Sequence, residues 1–217
     1  MHKLNIVLSG QRAFGCAVYE MLREHPYCRL GAVFAPAGDK LYDLAMRGRV
    51  ETLQAGTLRA ANIPPHTDLL IAAHSHDFIG AATRNRLRIG AVGYHPSLLP
   101  RHRGRDAVKW TIRMRDLVAG GTVYWLTDNI DSGPIAAQEW CWVDPAEDAH
   151  ALWRRALFPM GVRLLAQVVG DVAAGRVVQR DQDAAAATWE PALDSTPLYR
   201  PELVQIGTFP DGFNVIK

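Results

Sequence analysis

The chain has 217 residues and a formal net charge of +2, with 48% hydrophobic and 21% charged residues. That suits one soluble domain with a core of its own, and near-neutrality argues against nucleic acid or an anionic membrane as the main partner. Cys16, Cys28 and Cys141 follow no spacing motif, which argues against a disulfide framework or a zinc site and for thiols in a reducing cytoplasm. The N-terminal apolar run reads as too short for a signal peptide, and no stretch reads as approaching the ~20 apolar residues of a membrane span.

Leu4 to Ser9 predicts a buried strand, Ala13 to Arg23 a helix with Phe14, Ala17, Val18, Met21 and Leu22 on one face, and Leu30 to Ala35 a second strand. This βαβ order predicts a parallel sheet whose ligands bind at the carboxyl ends of the strands. The first candidate wall is then Ser9-Gly10-Gln11-Arg12. It carries neither a dinucleotide fingerprint nor a Walker loop. Gln11 and Arg12 suit a polar or anionic group, or are plain loop residues.

Further along, Lys40 to Arg47 predicts a short helix and Val50 to Pro65 mostly connection. Asp68 to Ala73 predicts a strand ending in His74-Ser75-His76-Asp77-Phe78-Ile79. The paired histidines beside an aspartate invite a metal reading but lack a third ligand, so no metal is expected. Ala81 to Arg88 predicts a helix, Ile89 to Tyr94 a strand, and Arg103 to about Arg115 a helix entered through a basic cluster of Arg101, Arg103 and Arg105. That cluster suits either an anion or a solvated rim. Gly121 to Thr127 and Ile135 to Val143 predict two antiparallel strands joined by a tight reversal at Asp131-Ser132-Gly133. Asp144 to Asp148 predicts the start of a helix reaching Ala174, kinked at Phe158-Pro159. Arg176 to Asp181 reads as a strand, and residues 182–217 as an irregular tail on the 1–181 body, with Trp189, Tyr199, Phe209 and Phe213 as its aromatics.

Two stretches carry chemistry. Gly93-Tyr94-His95-Pro96-Ser97-Leu98-Leu99-Pro100 places a histidine where a strand breaks into a proline-bounded loop, and Asp128-Asn129-Ile130-Asp131-Ser132-Gly133 places a carboxylate in a turn. A histidine and an aspartate at strand ends are the usual parts of a proton-transfer site.

These stretches, with Arg103-Gly104, Asp131-Ser132-Gly133-Pro134-Ile135 and the late Ala187-Thr188-Trp189-Glu190-Pro191, resemble the folate-dependent formyltransferase family from Leu4 to about Pro191. The resemblance implies an α/β, Rossmann-like, mostly parallel sheet with helices on both faces and an antiparallel addition. It implies 10-formyltetrahydrofolate as formyl donor, no metal, a small-molecule amine acceptor, no nucleic-acid or membrane partner, a cytoplasmic place in one-carbon metabolism, and room for a homodimer. By position, His95 and Asp131 match the family's catalytic histidine and aspartate. Asp77, Phe78 and Ile79, then Asp128, Asn129 and Ile130, match the two walls of the pteridine cleft. The glycine-rich phosphate loop of the ribonucleotide enzymes is absent. Phe14-Gly15-Cys16 and Arg103-Gly104-Arg105 with Trp110 look nearest to the enzymes acting on amino sugar nucleotides.

One position departs. Gly93 stands where the family has the asparagine that polarises the formyl oxygen. The donor is then supplied by His95, Ser75, Asn129 or water; or Gly93 makes room for a different group; or the protein binds folate without transferring. Tyr94 is excluded, because adjacent strand residues face opposite ways. The alternatives to formyl transfer to an amine are thus a non-catalytic folate binder, a 10-formyltetrahydrofolate hydrolase, and a transferase of another acyl group.

Overall fold

Apolar runs buried on both faces supply the centre of a sheet of seven strands in the order β3-β2-β1-β4-β5-β6-β7. The computed structural model describes residues 3–193. The strands are β1 (Leu4–Gly10), β2 (Cys28–Ala35), β3 (Glu51–Gln54), β4 (Leu69–Ala73), β5 (Gly90–His95), β6 (Val118–Trp125) and β7 (Ile135–Trp142). β1 to β5 run parallel, and β6 and β7 add antiparallel. The α/β, mostly parallel sheet with an antiparallel addition is therefore the one the sequence predicts. The order reverses direction at β1, whose neighbours are β2 and β4, so the crevice expected to hold ligands lies at the carboxyl ends of β1 and β4.

One face carries the larger core. Helices α1 (Arg12–Glu24) and α2 (Lys40–Arg47) and the long C-terminal helix pack there on Ile6, Leu8, Val33, Ile71, Val92 and Val123. The opposite face is covered more thinly, by a 3-10 turn at Ala60–Asn62 and by α3 (Ala81–Arg84), over Val7, Phe34, Leu70, Ala91 and Leu126. Gly93 and His95 continue the alternation of Ala91, so both belong to the thin face. α4 (Ala107–Arg113) follows β5.

The C-terminal helix comes in three parts: α5 (Ala149–Leu152), a π-helical turn (Trp153–Leu157) and α6 (Phe158–Ala173). Pro159 has no N–H and would clash with the carbonyl four residues back. The widened turn lies just ahead of it, and the Leu157 carbonyl accepts the Tyr94 hydroxyl at 2.7 Å. The expected kink is thus a π-bulge. Ala149–Ala173 is also long and apolar enough to cross a membrane by length and composition, contrary to expectation. Here Leu152, Leu157, Leu165 and Val169 are buried in the core.

Other local expectations need correction. Val50 to Pro65 contains β3, an edge strand on β2 whose polar Glu51 and Gln54 hide it from an apolar count. The helix after Ala81 ends at Arg84 and gives way to turns at Arg86 and Leu87. Residues Asp144 to Glu147 form a side-chain-capped turn, and Asp148 is the cap of α5. Arg176 to Asp181 is not a strand: Arg180 alone bridges Ile135, with hydrogen bonds of 2.7 and 2.9 Å. Part of the tail, up to Leu193, is described and lies on the body; Tyr199, Phe209 and Phe213 fall outside the described residues.

Candidate active site

β5 ends at His95, where the chain leaves the sheet for a loop. The imidazole is buried, and its Nε2 donates to the His102 carbonyl at 2.7 Å. That bond fixes the tautomer and leaves Nδ1 facing Asp131 Oδ2 at 3.5 Å. The structure thus brings together the two residues that the sequence pairs across 36 positions of chain.

Asp131 is held from several sides. It sits in the left-handed region at φ 50°, in an irregular loop between β6 and β7 rather than the tight reversal expected. Its Oδ2 accepts the Gly104 N–H at 2.7 Å, and its Oδ1 accepts the Tyr124 hydroxyl at 2.5 Å. Gly104 has φ 88°, a conformation that L side chains rarely adopt, and a Cβ there would meet the Trp189 ring at 3.1 Å. Glycine at 104 is what lets this amide point at the carboxylate. Gly133 is equally constrained, since a Cβ would lie 1.7 Å from the Trp125 carbonyl oxygen.

The tail locks these loops. Gln182 Nε2 donates to the carbonyls of Asp131 and Gly133, and its Oε1 accepts Arg103 Nε and Nη2 at 3.1 and 2.6 Å. Thr188 Oγ1 accepts the His102 N–H at 2.8 Å, while its backbone pairs with Pro100 and Arg103. Buried His102 lies between Asp116, 2.8 Å from Nε2, and Glu190, 3.0 Å from Nδ1. The carbonyl that orients His95 is therefore anchored by two carboxylates and a threonine. In the basic cluster, Arg103 is buried on Gln182, while Arg101 is exposed and pairs with Asp116 at 2.6 Å.

On the thin face, a cleft of 380 Å³ opens onto Asp131. It is lined by Asp77, Phe78 and Ile79 on one side and Asp128, Asn129 and Ile130 on the other. Phe78 is 82% exposed and Ile130 65% exposed, an unusual cost for large apolar groups unless a ligand covers them. Asp77 is fixed by the Ser9 hydroxyl at 2.8 Å and the Gly56 amide. Arg84 staples the walls together, donating to the Ile79 carbonyl at 2.7 Å and to Asp128 at 2.6 Å.

On the opposite face, a second cavity of 460 Å³ begins at Pro96, next to His95. Phe14, Tyr94, Val108 and Trp153 make it mainly apolar, with His74, His150 and the paired Asp106 and Lys109 as polar members. Burial, with the charges of Arg12 and His76, pushes His74 below the usual histidine range, so it is neutral at pH 7. Gln11 is buried, and the Arg12 amide at the start of α1 donates to both oxygens of Asp39 at 3.0 Å. An anion at that helix terminus would have to displace a carboxylate already there.

The His74-His76-Asp77 group does not form a metal site: among the described residues no group of three metal-ligating side chains converges. The three cysteines are unpaired, and burial raises each thiol, Cys28 to about 12. Sequence reasoning missed Tyr124, Gln182, Arg84 and His102. Only strand register and long-range loop contacts bring these four to the site.

A family model described as formyl transferase matches residues 50–169. The chain is 32% identical over 203 residues to the human mitochondrial 10-formyltetrahydrofolate dehydrogenase, covering 87% of this chain and 22% of that protein. It therefore spans about a fifth of the length of that curated relative. Its fold matches glycinamide ribonucleotide transformylase 1 from Symbiobacterium toebii with a TM-score of 0.71, at 22% identity over 83% of this chain and 94% of that one. It also matches an N-formyltransferase from Helicobacter canadensis, solved with folinic acid and dTDP-3-aminofucose, with a TM-score of 0.72, at 14% identity over 89% and 72% of the two chains. With the signature stretch and Asp131 both inside the matched segment, the chain belongs to the formyl transferase family.

Proposed function

We propose that this protein takes the formyl group of 10-formyltetrahydrofolate and passes it to a small acceptor. The observation that carries this reading is the cleft on the thin face. Six residues expected at a pteridine site line it together, two of them exposed apolar side chains, and it opens onto Asp131 beside His95. The exposed Phe78 and Ile130 suit the flat faces of a heteroaromatic ring. Asp77, Asp128 and the loop backbone suit its polar edge.

In this reading His95 and Asp131 are the catalytic pair. Asp131 accepts the proton of the attacking group as its bond to the formyl carbon forms. His95 Nδ1, the ring nitrogen not committed to His102, takes that proton from Asp131 and gives it to the folate nitrogen as the carbon–nitrogen bond breaks. Both groups are then back in their starting forms. The tetrahydrofolate released is balanced by one formylated acceptor, or by formate if the acceptor is water.

The acceptor approaches from the cavity beside Pro96. An amino sugar nucleotide is one acceptor of the right kind, but the α1 terminus that would hold its phosphates is occupied by Asp39. That contact, and the apolar character of the cavity, favour water or a small uncharged nucleophile as a second reading. Incubating the protein with 10-formyltetrahydrofolate alone, and then with amines that include an amino sugar nucleotide, separates the two. Tetrahydrofolate released without any amine supports the hydrolase. Release only with an amine supports the transferase. No release in either case, with tetrahydrofolate still bound, contradicts both.

A further inference from the structure

Formyl transfer places negative charge on the carbonyl oxygen, and Gly93 offers no side chain to receive it. The space is filled from the neighbouring strand. Gly93 and Tyr124 are direct partners in the antiparallel β5–β6 register, and residues directly opposed in such a pair share a face. A Cβ on Gly93 would lie 3.1 Å from Leu126 Cδ2 and 3.5 Å from the Tyr124 hydroxyl, the nearest polar atom beyond its chain neighbours. The phenol thus stands where the first atoms of an asparagine side chain would lead. Tyr124 is 8% exposed, and it lines the folate cleft. Burial and the Asp131 carboxylate push it well above the ordinary phenol range, which favours the protonated, donating form. The side-chain donors anticipated from sequence are less well placed. His95 gives its Nε2 hydrogen to the His102 carbonyl, and its Nδ1 faces Asp131. Ser75 is engaged with Ser9 at 2.6 Å and with the Asp77 amide at 3.0 Å, and Asn129 is exposed at the rim.

Building on the formyl-transfer reading above, we propose that the Tyr124 hydroxyl is the oxyanion donor of this site, a catalytic residue that replaces the side chain missing at Gly93.

The hydroxyl has one hydrogen, given to Asp131 Oδ1 in the structure. Once a formyl carbonyl enters the cleft, rotation about the phenol C–O bond moves that hydrogen bond to the carbonyl oxygen. Oδ1 is then free when the nucleophile must lose its proton. The nucleophile forms its bond to the formyl carbon, the carbonyl π pair moves onto oxygen, and the nucleophile's proton goes to the Asp131 carboxylate. Asp131 passes a proton to His95 Nδ1 across the 3.5 Å gap. On collapse the pair returns, the bond from carbon to the folate nitrogen breaks, and that nitrogen takes the proton from Nδ1. Tyr124 donates a hydrogen bond throughout and loses no proton, and no oxidant or reductant takes part.

The test compares wild type, Tyr124→Phe, Gly93→Asn and the double variant. It follows tetrahydrofolate release from 10-formyltetrahydrofolate across pH, tetrahydrofolate affinity, and thermal unfolding. Loss of one oxyanion donor predicts a kcat for Tyr124→Phe lower by about 10²-fold or more, with tetrahydrofolate affinity unchanged and the pH profile of kcat unshifted, because in the loaded site the hydroxyl has already left Asp131. Gly93→Asn alone loses activity, because the carboxamide and the phenol compete for one space. The double variant recovers at least about tenfold over Tyr124→Phe, the non-additivity expected of two groups sharing one role. The double variant also serves as the check if Tyr124→Phe proves unstable, since its carboxamide refills the space. The proposal is overturned if wild type is active and Tyr124→Phe keeps its kcat. It is equally overturned if the double variant is no faster than the slower single variant, or if Tyr124→Phe shifts the pH profile of kcat, as a role acting only through Asp131 and His95 would. A wild type that releases no tetrahydrofolate defeats the formyl-transfer reading itself, an outcome distinct from an active wild type indifferent to Tyr124.

Discussion

At the scale of single residues, the site is a set of constraints on one carboxylate. Asp131 accepts from Gly104 and Tyr124 and faces His95, so little of its geometry is left to chance. His95 and Asp131 could be singled out in the sequence because His95 closes a strand-like run at a proline-bounded loop and Asp131 stands among loop-forming residues, both local patterns. Tyr124 could not. Its place opposite Gly93 depends on the register of two strands with α4 between them, and nothing within either strand states that register. Gly104 carries a sharper prediction. Gly104→Ala forces a positive φ on a side-chain-bearing residue, costing about 1–2 kcal/mol, and pushes its methyl towards Trp189. Urea unfolding is expected to show that loss, and kcat to fall as the amide turns from Asp131. An alanine variant of wild-type stability and rate would show that the backbone here is not strained.

At the scale of elements, the strands and helices that bury one face were readable from periodicity, while those defined by partners were not. β3 has two exposed polar residues in four and is a strand only because β2 supplies its hydrogen bonds. The segment at Arg180 has strand-like composition but a single bridge. Pro159 announced a break in the long helix, and the π turn is how the backbone accommodates it. Two predictions belong at this scale. Arg84 joins the loop after β4 to the loop after β6, so Arg84→Ala is expected to weaken tetrahydrofolate binding several-fold, measured by titration, with the protein still folded. Unchanged affinity would mean that the cleft walls are set without it.

The turn before α5 gives the second. Hydrogen bonds from Arg155 hold the Glu147 carboxyl below its ordinary range, against an opposing effect of burial. A carboxyl lowered in the folded state stabilises fully above the unfolded pKa of about 4.3, and that stabilisation is lost as pH falls through the lowered folded value. The stability gap between wild type and Glu147→Gln is therefore expected to be larger at pH 6 than at pH 3 in urea titrations. A gap independent of pH would contradict the ion-pair account.

At the scale of the whole molecule, the asymmetry of the sheet decides where chemistry happens. One face is buried under α1, α2 and α6, and the other is left thin enough for a cleft, with β5 delivering His95 at their common edge. A βαβ start and a crevice at the strand ends were expected from sequence; which face stays open was not, because that depends on how the loops and the late segment pack. Residues 182–190 pack on the candidate site through Gln182, Thr188 and Glu190, so this part of the tail belongs to its frame. The most direct test of the account is tetrahydrofolate release from 10-formyltetrahydrofolate by wild type and by His95→Asn, with water and with amines as acceptors. The account predicts release by wild type and a rate lower by about 10²–10⁴ in the variant. Wild-type release no faster than the spontaneous reaction, or equal release by His95→Asn, would contradict it.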